Sequence, residues 1–317
     1  MLVYLLFIIG FVILLKGADW LVEGASSVAK RFGISGIVIG LTIVSFGTSA
    51  PELLVNVIAS IQGNNELAIG NILGSNLSNI FLILGIAAII YPLKLTSNTT
   101  WKEIPLSLLA VVVFSLMVND RLVDGNDFSV LGRIDGFVLL AFFVIFIYYT
   151  FGIGKVQGEK QDHHKEYPSW KAVLMMLGGM IGLALGGKWV VDGAMAIAEK
   201  FGMSEAFIGL TIVAIGTSLP ELATSVVAAM KKKVDIAVGN VVGSNIFNIL
   251  WILGLSAVIK PLYFSVSLNF DIMMVTFSTF LLFLFMFVGK KRILERWQGI
   301  SFVAIYVLYI AFLFFRG

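Results

Sequence analysis

The chain has 317 residues, of which 59% are hydrophobic and only 13% charged, with a mean hydropathy of +0.98. No soluble domain of this length carries such a composition, so the expected class is an all-α polytopic membrane protein. The formal net charge of +3 is too small to argue for a nucleic-acid partner, and the absence of cysteine excludes disulfides and thiolate metal sites.

In chain order, apolar stretches long enough to cross about 30 Å of hydrocarbon as helices fall at 2–18, 36–61, 67–92, 104–118 and 134–153. The first has no basic leader and no convincing cleavage site, so it reads as a retained helix rather than a signal peptide. A polar stretch follows at 154–169, containing the adjacent His163 and His164. It reads as a solvated linker, and the histidine pair as solvated rather than metal-binding. Five further apolar stretches lie at 170–187, 205–230, 236–260, 271–288 and 298–315. The expectation is ten transmembrane helices, divided into halves at 1–153 and 170–317 by the linker.

The halves repeat one another. GLTIVSFGTSAPEL at Gly40 to Leu53 returns as GLTIVAIGTSLPEL at Gly209 to Leu222, and AIGNILGSNLSNIFLILG at Ala68 to Gly85 returns as AVGNVVGSNIFNILWILG at Ala237 to Gly254. Both pairs share an offset of 169 residues, with 11 of 14 and 11 of 18 positions identical, which duplication explains. A unit of five helices is odd in number, so the second copy enters the membrane from the opposite face and the repeats are inverted. With the amino terminus outside, 15 Lys and Arg residues fall inside and six outside, Lys16 lying near the boundary. That bias places both termini outside and the linker in the cytoplasm, in a cytoplasmic (inner) membrane. The run Lys231, Lys232, Lys233 then reads as a cytoplasmic helix anchor. No cofactor and no obligatory protein partner is expected; the chain's surroundings are the lipid bilayer.

Each first block places one carboxylate, Glu52 or Glu221, in an apolar stretch. Pro51 and Pro220 have no amide hydrogen, so the carbonyls of Gly47 and Gly216 lose their helical partners. Within hydrocarbon such a break is tolerated only where protein, water or an ion satisfies the freed oxygen. Thr48 precedes Glu52 by four residues, and Thr217 precedes Glu221 by four, which sets each pair on one helix face. The second blocks supply Asn71, Ser75, Asn76 and Asn79, matched by Asn240, Ser244, Asn245 and Asn248. Gly70 with Gly74, and Gly239 with Gly243, have the small-residue spacing that lets membrane helices approach closely. A carboxylate in a bilayer costs roughly 2.5 to more than 10 kcal/mol before compensation, which makes the glutamate pair a functional candidate by default. Oxygen ligands without cysteine or membrane histidine favour hard cations. Calcium accepts about six to eight oxygens in flexible geometry, sodium can use the same atoms, and magnesium dehydrates too reluctantly to fit well.

GTSAPE with GNILGSN, repeated as GTSLPE with GNVVGSN, resembles the alpha-repeats of the calcium/cation antiporter superfamily, its prokaryotic sodium/calcium exchangers most closely, and the resemblance covers essentially the whole chain. It implies a central site on helices two, three, seven and eight, with the first and sixth helices sliding across that core. By motif position it implies Glu52 and Glu221 as the principal calcium ligands, joined by the carbonyls of Thr48 and Thr217. It further implies flanking sodium sites from Ser49, Ser218, Ser75, Ser244 and the backbones of Ser45 and Ala214, with Asn79 and Asn248 completing the ring. Several relatives carry Asp at the position of Asn248; Asn there leaves two carboxylates and disfavours potassium co-transport. The expected function is secondary antiport of sodium against calcium by alternating access, with three sodium ions per calcium if the family pattern holds. Proton/calcium exchange and potassium-dependent sodium/calcium exchange are the alternatives. An intramembrane hydrolase using the glutamates as acid and base lacks metal-binding histidines and an activated nucleophile.

Overall fold

The computed structural model describes residues 2–123, 125, 128–154, 167–201 and 214–316. His163 and His164, most of the linker, and residues 205–213 of the seventh expected span lie outside them. Long helices dominate: α1 (Leu2–Phe32), a bent pair α2 (Gly36–Thr48) and α3 (Ala50–Gln62), α4 (Asn65–Ile90), α5 (Thr99–Met117) and α6 (Arg133–Gly154). After the linker come α7 (Ser169–Lys200), α8 (Ala214–Thr217), α9 (Leu219–Met230), α10 (Val234–Ile259), α11 (Asn269–Phe285) and α12 (Arg296–Arg316). Eight described helices are long and apolar enough to cross a membrane, nine if α2 with α3 is one span. α9 is shorter.

α1 and α7 run past the apolar stretches 2–18 and 170–187, as the long first and sixth helices of the resemblance would. The apolar runs stop at Asp19 and Lys188, and those charges find partners. Lys231 pairs with Asp19 and lies 2.7 Å from Glu23, while Lys233 lies 3.1 Å from Glu23. On α7, Lys188 and Asp192 pair with each other across one turn at 2.6 Å. Two lysines of the 231–233 run therefore clamp α1 to the α9–α10 turn, beyond the anchoring role expected of them. Burial acts to lower the Lys231 pKa, but its two carboxylate partners raise it overall; for Lys233, whose side chain is only 4% exposed, burial prevails and lowers it.

The antiparallel pair of α1 and α7 packs backbone to backbone through glycine. A Cβ on Gly17 would meet the Gly179 carbonyl and the Leu183 amide, each at 2.8 Å, and one on Gly24 would meet the Ala172 carbonyl at 2.7 Å. Such contact is available only to small residues. The pair lies across the breaks in the core: Met180 packs over Gly47, and Val191 over Gly216.

α4 and α10, which carry the second motif, are the most buried spans, at 78% of their apolar windows against 22–39% for the other spans. Each contains a π-helical stretch, Ser78–Leu84 and Phe247–Leu253, displaced by 169 residues. Widened turns of this type recur at functional sites. Four two-residue strands complete the fold: β1 (Leu93–Lys94) pairs antiparallel with β4 (Ile293–Leu294), and β2 (Val130–Leu131) with β3 (Leu262–Tyr263).

Candidate functional site

Both proline motifs bend the chain two residues before the proline. Ser49 has φ −84° and ψ 7°, Ser218 has φ −86° and ψ 5°, and α2 meets α3 at 49°. Pro51 and Pro220 then sit in the first turn of α3 and α9, where a missing amide costs nothing. Glu52 and Glu221 follow in the same turns, the end of a helix that favours negative charge. Both are 1% exposed.

The repeats brace each other's acids. Ser49 donates to Glu221 Oε1 at 2.9 Å and lies 2.9 Å from Ser244 Oγ, which is 3.4 Å from the same carboxylate oxygen. In mirror fashion Ser75 donates to Glu52 Oε1 at 3.1 Å and lies 2.9 Å from Ser218 Oγ, itself 3.4 Å from that oxygen. Each glutamate thus faces one serine from its own repeat and one from the other. The Thr48 hydroxyl donates to Asn240 Oδ1 at 3.0 Å, and that of Thr217 to Asn71 Oδ1 at 3.4 Å, so the threonines also tie the halves together.

Serving one oxygen of each acid leaves the other. Glu52 Oε2, Glu221 Oε2, Asn79 Oδ1 and Asn248 Oδ1 are buried and accept no hydrogen bond from the protein. Leaving a buried acceptor unsatisfied costs about 1–3 kcal/mol, more for a charged group. These four oxygens, two from each repeat, are of the kind a hard cation takes and could supply part of the six to eight that calcium accepts. Two carboxylates and two amide oxygens also match a divalent charge.

The expected residues do not all play equal parts. The Ser45 hydroxyl turns back to the Leu41 carbonyl at 2.8 Å, and its carbonyl accepts from the Ser49 amide at 2.9 Å. In the second repeat the Ser218 amide donates instead to Ile215, at 3.1 Å, so the backbone beside Ala214 differs. Phe247, the counterpart of Ser78, stands apart from the oxygen set in an aromatic cluster with Phe46, Phe143, Phe146 and Trp251. Asn76 and Asn245, absent from the expected ligand set, hydrogen bond to Asn248 and Asn79; the repeated GSN triplet was their signal. Among the described residues, no three His, Cys, Asp or Glu side chains gather into a metal site, so the hydrolase alternative gains no support.

Comparison with known proteins places this geometry. The sodium/calcium exchanger protein family matches residues 2–152 and 171–315, both sides of the linker. The sodium/calcium exchanger MaX1 of Methanosarcina acetivorans is 32% identical, with 98% of each chain covered. The inner membrane protein YrbG of Escherichia coli is 41% identical over 81% of this chain and 79% of its own. Among solved structures, the sodium-calcium exchanger NCX_Mj, soaked with Na+ and Sr2+, superposes with a TM-score of 0.85 at 35% identity, covering 98% of each chain. With both repeats inside the match and the fold shared from end to end, the chain belongs to the sodium/calcium exchanger protein family.

Proposed function

We propose that this protein is a secondary antiporter that exchanges sodium for calcium, the two ions competing for one central site built on Glu52 and Glu221. The observation that carries the reading is that one oxygen of each motif glutamate, and those of Asn79 and Asn248, are buried and accept no hydrogen bond, two from each repeat. Calcium would take Glu52 Oε2, Glu221 Oε2 and the carbonyls of Thr48 and Thr217. Sodium ions would use the flanking serines 49, 218, 75 and 244 and the backbones of Ser45 and Ala214, with the amides of Asn79 and Asn248 completing the ring around the ions. Bare paired carboxylates repel each other at low dielectric, which disfavours movement of the ion-free site and couples the two fluxes. Asn248 keeps the centre at two carboxylates, which favours the reading without potassium.

The architecture proposed is ten helices in two inverted five-helix repeats, 1–153 and 170–317, about a cytoplasmic linker at 154–169. The ribbons support it: β1 and β3 end equivalent helices, yet β1 joins the α11–α12 loop and β3 the α5–α6 loop. Equivalent chain positions therefore meet opposite sets of loops, as inversion requires. The same pairing groups Lys94 with Lys290, Lys291 and Arg292, in line with both termini outside an inner membrane.

Vesicles reconstituted with the protein and loaded with sodium should take up calcium-45 when external sodium is removed. Uptake should persist at fixed pH and without potassium. Uptake driven only by a proton gradient, or only with potassium present, would favour an alternative exchanger.

The reading also makes the α1 clamp a strut that resists opening toward the cytoplasm. At the equivalent outer positions Lys188 and Asp192 pair within α7, so the strut is one-sided. Replacing Lys231 and Lys233 with glutamine should shift the resting population toward the cytoplasm-open form by about five- to tenfold, at roughly 1 kcal/mol for such pairs. Ser225 lies one turn beyond Glu221 toward that side, so a Ser225→Cys reporter should label correspondingly faster with an impermeant thiol reagent in inside-out vesicles. An unchanged labelling rate would count against the strut.

A further inference from the structure

We infer that Asn76 and Asn245 are positioning residues that fix which atoms Asn79 and Asn248 present to the transported ions, an inference that rests on the site proposed above. The four residues form one hydrogen-bonded chain across the repeats, running Asn79, Asn245, Asn76, Asn248. Asn79 Nδ2 donates to Asn245 Oδ1 at 2.9 Å, and Asn248 Nδ2 donates to Asn76 Oδ1 at 2.9 Å. Asn76 Nδ2 donates to the Asn245 carbonyl, and Asn245 Nδ2 to the Asn76 carbonyl, both at 3.4 Å. The last two contacts join residues 169 apart, which is the repeat offset, so Asn76 and Asn245 meet their own counterparts on the local twofold axis.

A carboxamide carries an acceptor at one end and two donors at the other, and rotation by half a turn exchanges them. For a cation ligand that exchange is decisive, because an NH2 group facing the ion repels it. In this chain the amino ends of Asn79 and Asn248 are held by the partner repeat, and their oxygens are buried without a donor. The orientation of each amide ligand is thus set by a residue that does not itself supply an oxygen to the ion. All four side chains are at most 2% exposed, so no bulk water competes for these bonds.

The network also couples position 248 to Asn76: an ionised aspartate there would require Asn76 to turn its amino end toward the carboxylate and give up its 3.4 Å bond to the Asn245 carbonyl.

A double-mutant cycle tests this. Calcium-45 uptake into sodium-loaded vesicles gives the half-saturating calcium concentration and the maximal rate for wild type, Asn76→Ala, Asn248→Ala and the double variant. Asn76→Ala should raise half-saturation about tenfold, with the maximal rate and the thermal midpoint of the purified protein little changed. The double variant should be no worse than Asn248→Ala alone, since Asn76 acts through Asn248. The mirror cycle on Asn245 and Asn79 should behave alike, and stands in if Asn76→Ala does not fold. Multiplying effects, or a fall in maximal rate at unchanged half-saturation, would overturn the positioning role while leaving the exchange function intact. Wild-type vesicles without sodium-dependent uptake would instead overturn the proposed function, and this inference with it.

Discussion

Glu52→Gln combined with Glu221→Gln should leave sodium-loaded vesicles with no calcium uptake above that of protein-free liposomes. Each single replacement should lower uptake at subsaturating calcium by ~10²-fold or more, because removing one member of a buried ionic contact costs about 3–5 kcal/mol. Glutamine preserves the shape and still offers Oε1 to the serines that hold each acid. What changes is the other atom: an oxygen that accepts nothing from the protein becomes an amino group pointed at the ion. The loss is therefore expected in transport rather than in folding, and the thermal midpoint of the purified variant should stay near that of wild type. Normal calcium flux in the double variant would remove the glutamates from the site.

Fixing α7 to the core should stop exchange as completely. An ideal Cβ at Gly216 lies 3.4 Å from Val191 Cβ, just under the ~3.5–4.5 Å that disulfides span. The chain has no cysteine, so Gly216→Cys with Val191→Cys makes a single bridge without competitors. α7 shares a glycine-lined seam with α1, so holding one restrains both. If the pair slides over the core to alternate the two openings, oxidation should abolish sodium-dependent calcium uptake and reduction should restore it. Each single cysteine variant, treated with the same oxidant, should keep its activity. Undiminished exchange in the fully cross-linked protein would mean that access alternates without this movement.

Much of the site was legible because its chemistry is written twice. Proline ahead of a membrane glutamate, with threonine one turn before, left few physical alternatives to a break lined with oxygens, and the break lies where Pro51 and Pro220 put it. Three things were not legible. Ser49 stands three residues before Glu52 in the chain yet donates to Glu221, a pairing that depends on how the two halves dock. The π-helical stretches have no signature in composition or periodicity, since widening one turn leaves the apolar pattern intact. The pairing of Asp19 and Glu23 was not legible either, because the lysines that hold them lie 208 or more residues away in the chain. The constant offset also has a limit: β2 and β4, in equivalent loops, are 163 residues apart rather than 169, because the α5–α6 loop is longer than the α11–α12 loop.

The central claim is that sodium and calcium compete for one site on two glutamates, and equilibrium binding addresses it without transport. Purified protein titrated with calcium-45 at a series of sodium concentrations should bind one calcium per chain, with apparent affinity falling steeply as sodium rises and the binding capacity unchanged. The Glu52→Gln, Glu221→Gln variant should bind none. Calcium binding that is indifferent to sodium, or that survives in the variant, would contradict a shared carboxylate site.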